Sequence, residues 1–258
     1  MNWLNYFRHN RTHRMEIPWE KGVHVEERLR LPLVRSLQRF QLGESGEGRH
    51  LRQRAAQTGD AAYAACVELF IQEEQEHARL MARVILGLNG SLLKTHWSES
   101  WFVGMRHLIG LHAQLLVLLA PEMIARRYFR VLYEATGEPV LRAVFAQILR
   151  DEEGHLAFHA DFLNRAFSRL SFRQRILLLV GWRAMFDLVC LAMLIDHRSM
   201  LRAAGVSLGA FWRECGCIFD EVAASIFSPA HVLRASEVSP QTSTSGQVLS
   251  GESSFRQL

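Results

Sequence analysis

Cysteine is scarce and irregularly placed in this sequence. The chain has 4, at Cys66, Cys190, Cys215 and Cys217. That is too few to staple a disulfide scaffold, and Cys215-Gly-Cys217 is too closely spaced for the usual zinc knuckle. All four are expected to be reduced and partly buried. No strand-turn-strand alternation appears, and composition and period exclude collagen and coiled-coil rods. The opening residues, Met-Asn-Trp-Leu-Asn-Tyr-Phe-Arg, have no apolar run followed by a small-residue cleavage site. A secretory leader is therefore not expected, and the expected location is cytoplasmic. Lysine is nearly absent, so almost all the positive charge is arginine. The net charge of +4 comes from 30 basic and 26 acidic residues spread along the chain. That pattern differs from a clustered nucleic-acid footprint, so no nucleic-acid partner is favoured. The long apolar run at 176–194 contains Arg183 and Asp187 and is framed by Arg175 and Asp196. Internal charges are costly in a bilayer, so a buried or homodimer-forming helix is expected rather than stable membrane insertion.

What is present is globular. Over 258 residues the hydrophobic fraction is 49% and the charged fraction 22%, enough for a substantial core. Residues 1–24, aromatic and basic, read as an irregular arm. Helical periodicity begins near Val25 and is interrupted by Gly43, Gly46 and Gly48, where the helix either stops or tolerates small residues in close packing. Further helices are predicted at 61–88, 103–136, 139–167, 171–201 and 208–226, with Asp60 and Ser171 as caps. Pro121 is expected to kink or divide the 103–136 helix. The expected organisation is an all-α bundle over residues 25–170, a helical extension of the same domain over 171–230, and a disordered tail over 236–258.

The strongest chemical signal is Glu74-Gln75-Glu76-His77 and its counterpart Glu152-Glu153-Gly154-His155. Each is Glu-x-x-His, and a three-residue step leaves both side chains on nearly one helix face. Glu44 precedes Glu74 by 30 residues, and Glu122 precedes Glu152 by the same 30. The halves are offset by 78, which also relates Glu73 to Asp151. The result is a repeated helix-loop-helix unit supplying four carboxylates and two imidazoles on four helices. Two divalent cations can neutralise such a set, which would be costly to bury without them. Glu47 is the alternative to Glu44. A ligating imidazole normally gives its other N–H to an acceptor, so Glu73 and Asp151 are candidates to cross between helices and hold His155 and His77. His159, one turn after His155, is a candidate extra ligand, pocket base or core histidine. His112 is a weaker pocket candidate. Tyr63, Phe70, Phe129, Phe145 and Phe158 read either as a chamber near the metals or as ordinary core, and Tyr128 and Tyr133 matter for redox chemistry only if they approach the site.

Through Glu44, Glu74 with His77, Glu122, and Glu152 with His155, in that order, the chain resembles the ferritin-like superfamily of carboxylate-bridged di-metal proteins. The resemblance covers roughly residues 30–167. It implies a ferritin-like four-helix bundle, with additional C-terminal helices here, and a site that holds two iron ions, Fe–Mn or Mn–Mn being alternatives. It also implies activation of dioxygen or oxidation of iron. The helices after residue 171 favour a di-iron oxidase or oxygenase acting on an unidentified small organic substrate, with an external electron donor. A ferroxidase or iron-handling protein, or a non-catalytic di-metal structural protein, is the alternative.

Overall fold

The computed structural model describes residues 1–94 and 110–227, all helical or irregular. Its α-helices are α1 (Trp3–Thr12), α2 (Glu27–Glu44), α3 (Arg49–Ala56), α4 (Ala61–Gly87), α5 (Leu111–Ala135), α6 (Pro139–Phe167), α7 (Phe172–Ala203) and α8 (Leu208–Phe227), with a 3₁₀ turn at Trp19–Lys21. Trp97, Trp101, the start of the expected 103–136 helix and the expected tail over 236–258 lie outside the described residues.

Local chemistry explains most boundaries. The Asp60 side chain accepts from the Tyr63 amide at 2.9 Å and starts α4. Glu138 accepts from the Leu141 amide at 2.6 Å, with Pro139 in the first turn where its missing N–H costs nothing. Ser171 and Gln174 form a reciprocal capping box at the start of α7. Of the two readings of the glycine cluster, the helix stops. α2 ends at Glu44, and Gly48, at φ +63°, opens α3. A Cβ at Gly48 would meet Ile71 Cδ1 at 2.6 Å, so both the backbone angle and the close approach require glycine.

Two expectations need correction. The 1–24 arm is not irregular throughout, because it carries α1, which packs on α4 and buries Phe7 and Asn10. Pro121 does not divide its helix. α5 runs through it, flanked by the buried Ala120, Glu122 and Met123, so tertiary packing outweighs the local cost of proline.

α2 pairs with α4, α5 pairs with α6, and α4 also meets α6. α7 covers α2 and α5, while α8 lies against α5, α6 and α7. A single hydrophobic cluster runs from Phe7 in α1 to Ile226 in α8, with Tyr63, Phe129, Phe145 and Phe158 inside it. α7 is only partly the buried helix expected. Trp182, Phe186, Val189 and Leu194 face inward, but Leu177, Val180, Leu188, Leu191 and Ile195 are exposed. Its most apolar stretch has a mean hydropathy of 2.0 and is 22% buried, so by length and composition it is one helix long enough to cross a membrane. Cys66, Cys190 and Cys215 are buried free thiols and Cys217 is an exposed one.

Gly154 sits where Tyr6 of α1 presses on α6. A Cβ there would collide with Tyr6 Oη and lie 2.7 Å from its Cζ. Gly154→Ala should destabilise the fold by about 1–3 kcal/mol, as overpacking does. Gly209→Ala, with open space around its Cβ position, should instead be neutral or stabilising by up to about 1 kcal/mol. Urea denaturation of the two variants distinguishes a specific contact from a general effect of removing helical glycine.

Candidate metal centre

Four helices converge on one buried cluster. Glu44 closes α2, Glu74 and His77 lie on α4, Glu122 on α5, and Glu152 and His155 on α6. The relative side-chain exposure is 12% for Glu44 and 14% for Glu74, and at or below 7% for the other four, so these carboxylates are largely removed from bulk water. Their oxygens and the two Nδ1 atoms form two donor sets that share Glu74. One is Glu74, Glu122, Glu152 and His155, the other Glu44, Glu74 and His77, and within each set the atoms lie within 4.8 Å of one another. Glu47 is not part of either set; it is exposed and pairs with Arg49.

The imidazoles fix the character of the site. His77 Nε2 donates to Asp151 Oδ2 at 2.9 Å, and His155 Nε2 donates to Glu73 Oε2 at 3.0 Å. A carboxylate can only accept, so each ring carries its proton on Nε2 and, when neutral, turns a bare Nδ1 inward. His77 Nδ1 lies 3.2 Å from Glu44 Oε2, and His155 Nδ1 lies 3.0 Å from Glu74 Oε1. Lone pairs at that distance repel unless a proton or a cation stands between them. The inward atoms His77 Nδ1, His155 Nδ1, Glu44 Oε2, Glu74 Oε1 and Glu152 Oε2 are all buried with no hydrogen-bond partner. Orphaned buried polar atoms are uncommon, and five of ligand type, divided between two donor sets that share Glu74, fit bound metal.

Outside the imidazoles lies a third layer that the motif spacing did not announce. Asn10 of α1 donates from Nδ2 to both Glu73 Oε1 and Asp151 Oδ1, each at 2.7 Å. Arg14 reaches Asp151 at 2.7 Å and Glu73 at 3.8 Å. Gln147 donates to Asp151 Oδ1 at 2.9 Å and accepts from the Met15 amide at 2.7 Å. One asparagine and one arginine therefore tie together the two carboxylates that orient the two imidazoles. Their sequence separation from α6, 141 residues for Asn10 and Asp151, leaves no local signal by which to find them.

The electrostatics of the metal-free protein follow from this crowding. Burial pushes the Glu122 carboxyl up to about 7, with repulsion from Glu74 adding to it. Burial, then the Glu122 charge, raises Glu152 well above the carboxylate range. Burial also raises Glu44. Burial alone would depress His155, but the Glu73 carboxylate at Nε2 and the Glu74 carboxylate facing Nδ1 outweigh that and hold it up at about 10. For His77, burial is likewise outweighed, by Asp151 and Glu44. Asp151 is lowered despite its burial, because His77 and Arg14 favour its charge. The metal-free site thus retains protons where a cation would replace them.

His159 belongs to neither donor set. It is fully buried with both ring nitrogens unpartnered, edge-on to Phe70, and burial, with His155 nearby, pushes it down to about 3. It stands neutral behind the site. His112 is exposed, beside Phe162 and Phe167, and does not enter the cluster. Tyr133 pairs with Arg142, while Tyr128 hydrogen-bonds Ser36, which also meets His197 Nδ1 at 2.7 Å.

Two cavities open on the cluster. One of about 460 Å³ lies under the Gly43–Gly48 turn, bounded by Phe70, Gln114 and Leu118. A second, of about 160 Å³, runs between α2, α5 and α7 past Phe40, Val117, Met193 and His197 to Glu122. Glu44 and Glu74 line both, so an external molecule can approach the donor sets from that side. No family model, curated relative or solved structure matches the chain, so its chemistry is read from this geometry.

Two outcomes follow. Groups whose folded-state pKa is raised, Glu122 and Glu152 among acids and His155 among bases, make the folded metal-free protein hold more protons than the unfolded chain between about pH 5 and 9. Stability should therefore fall as pH rises through that range, by about 1.4 kcal/mol per pH unit for each excess proton. A bound divalent ion should flatten the fall, and denaturant melts at pH 6, 7 and 8 with and without metal read it directly. Asn10→Ala removes the tie between Glu73 and Asp151 and should weaken metal affinity by about 10-fold or more at unchanged stoichiometry, measured by competition with a chelating dye.

Proposed function

We propose that this chain is a ferritin-like non-haem di-iron oxidase or oxygenase that uses dioxygen to oxidise a small organic molecule. The observation that carries the reading is the paired donor set. Two Nδ1 atoms and four carboxylates from four helices face inward, Glu74 is common to both halves, and five of the inward atoms lack partners. Hard carboxylate oxygens with one imidazole per half suit iron or manganese. Such a pair, when bound, supplies the electron transfers and the dioxygen activation that no side chain here provides.

The chain's own residues do the rest. Glu74, common to both donor sets, would help to hold both ions, with Glu122, Glu152 and His155 holding one and Glu44 and His77 the other. Asp151 and Glu73 keep the Nε2 protons in place, so neither imidazole turns its N–H toward the metals. Phe70 and the neutral His159 close the buried side. The open side faces the cavities bounded by Glu44 and Glu74, where substrate and dioxygen enter. Those cavities favour an organic substrate over a purely structural metal, which needs no access. Reducing equivalents beyond those the substrate supplies come from an external donor.

Anaerobic Fe(II) titration should saturate at about two ions per chain, and Glu74→Ala or Glu152→Ala should abolish binding of both. Subsequent exposure to oxygen should produce ferric absorption within one turnover. Continued oxidation of many Fe(II) equivalents per chain would assign the site to iron handling. Binding without reaction toward oxygen would leave a structural metal, and a folded protein that binds no Fe(II) would refute the reading.

A further inference from the structure

The cavity under the Gly43–Gly48 turn holds a polar group that neither core packing nor the donor sets explain. Gln114 lines it from α5 and is 5% exposed. Its Oε1 is buried without a hydrogen-bond partner. An unpaired buried carboxamide is less stable than an apolar side chain of similar shape. α5 does not need it for packing, because the adjacent Leu115 and Leu116 already seat that turn in the core. Gln114, Leu118 and Glu122 follow at steps of four, so they lie on nearly one face of α5. The carboxamide therefore stands about 12 Å along the helix axis from the donor Glu122. Leu118 and, from α4, Phe70 line the same cavity, as does Glu74, which both donor sets share.

The walls select the kind of molecule. A volume of about 460 Å³ falls in the range that encloses small organic ligands. Among the described residues, the buried wall outside the donor sets is Leu51, Phe70, Ile71 and Gln114, so the carboxamide is its one polar group. Glu44 and Glu74 belong to the donor sets, and Glu47 and Arg49 pair with each other at the exposed rim. The buried wall thus carries no charge with which to hold a carboxylate, a phosphate or an ammonium group. A carboxamide both donates and accepts, and a half-turn of the side chain exchanges the two. Its complement is a neutral group that also does both, a hydroxyl or an amide. We propose that Gln114 anchors the substrate, and that the substrate is an uncharged, largely apolar molecule. Its hydroxyl or amide group bonds the Gln114 carboxamide, and its apolar end lies along Phe70 and Leu118 toward Glu74. This assignment rests on the oxidase or oxygenase reading and adds to it the class of substrate and the end that faces the metals.

Phenylbutanol, a neutral hydroxyl on an apolar body of matching length, is a suitable probe. Titration of the Mn(II)-loaded full chain should give it a dissociation constant at least about 10-fold below those of phenylbutyrate and phenylbutylamine. Gln114→Met keeps the length of the side chain and removes its hydrogen bonds. It should weaken phenylbutanol relative to butylbenzene by at least about 10-fold, in metal-free and Mn(II)-loaded protein alike. The same variant should raise the urea midpoint, because it removes an unpaired buried polar group. In NMR spectra of the Mn(II)-loaded chain, the phenyl protons of the bound probe should relax faster than those beside the hydroxyl. Failure of phenylbutanol to bind at millimolar concentration would overturn the proposal, as would equal or tighter binding of either charged probe. Unchanged selectivity in Gln114→Met, a lowered urea midpoint, which marks a structural carboxamide, or faster relaxation beside the hydroxyl would overturn it too. A chain that binds no metal yet shows the Gln114-dependent selectivity would refute the di-metal reading and keep the anchor. One that reacts with dioxygen but is indifferent to Gln114→Met would do the reverse.

Discussion

Four carboxylates held together with two imidazoles, largely out of bulk water, set the terms for the rest of this molecule. Like charges at that separation, away from solvent, repel strongly enough that the metal-free protein must keep protons on them. The raised Glu122, Glu152 and His155 are the visible result. The remaining fold supplies what tolerating the cluster requires: four helices to aim it, apolar rings of Phe7 and Phe70 packed on His155, and cavities that open beside Glu44 and Glu74. Glu73 and Asp151 add two further buried acids, whose nearest fixed cation is Arg14. Two divalent ions together with Arg14 would bring the six carboxylates to within one charge of neutrality.

The constraint propagates outward. An imidazole that gives Nδ1 to a metal needs an acceptor at Nε2, and the acceptors must not rotate. Glu73 and Asp151 each cross to the opposite helix, so α4 orients the histidine of α6 and α6 that of α4. Asn10 then joins the two acceptors through one amide, which places α1 over the repeat at the point where its halves meet. Gly154 within the second motif follows from the same need, because a side chain there would lift Tyr6 and the helix that carries Asn10.

What the sequence made legible was what repeats or caps locally. The 30-residue spacing and 78-residue offset marked Glu44, Glu74, His77, Glu122, Glu152 and His155, and the structure brings those six side chains together. The bounds of α4, α6 and α7 were readable because Asp60, Glu138 with Pro139, and Ser171 are capping residues with near-neighbour partners. α1 was not readable. It is short and polar, and its contribution comes through Phe7 and Asn10, whose partners lie far along the chain. Of the two readings of Pro121, a kink or a division, the helix is not divided, because the buried surroundings of α5 offset the local cost of proline. The periodicity of α7 announced an apolar helix but not that it carries two stripes, one facing the core and one facing out.

Those two stripes connect the centre to the surface. The inner side of α7 supplies Ala192, Met193, Asp196 and His197 to the wall of the cavity that ends at Glu122 and Glu44. Its outer side supplies Leu188, Leu191 and Ile195, which lie within the same few turns. α7 is held in that position by α2, α5 and α8. The donor sets on α4 and α6 are held separately, by their own crossed hydrogen bonds. Metal binding and access to the metal are thereby assigned to different parts of the fold. The first depends on the buried pair α4–α6 with its α1 latch, the second on how firmly α7 is held.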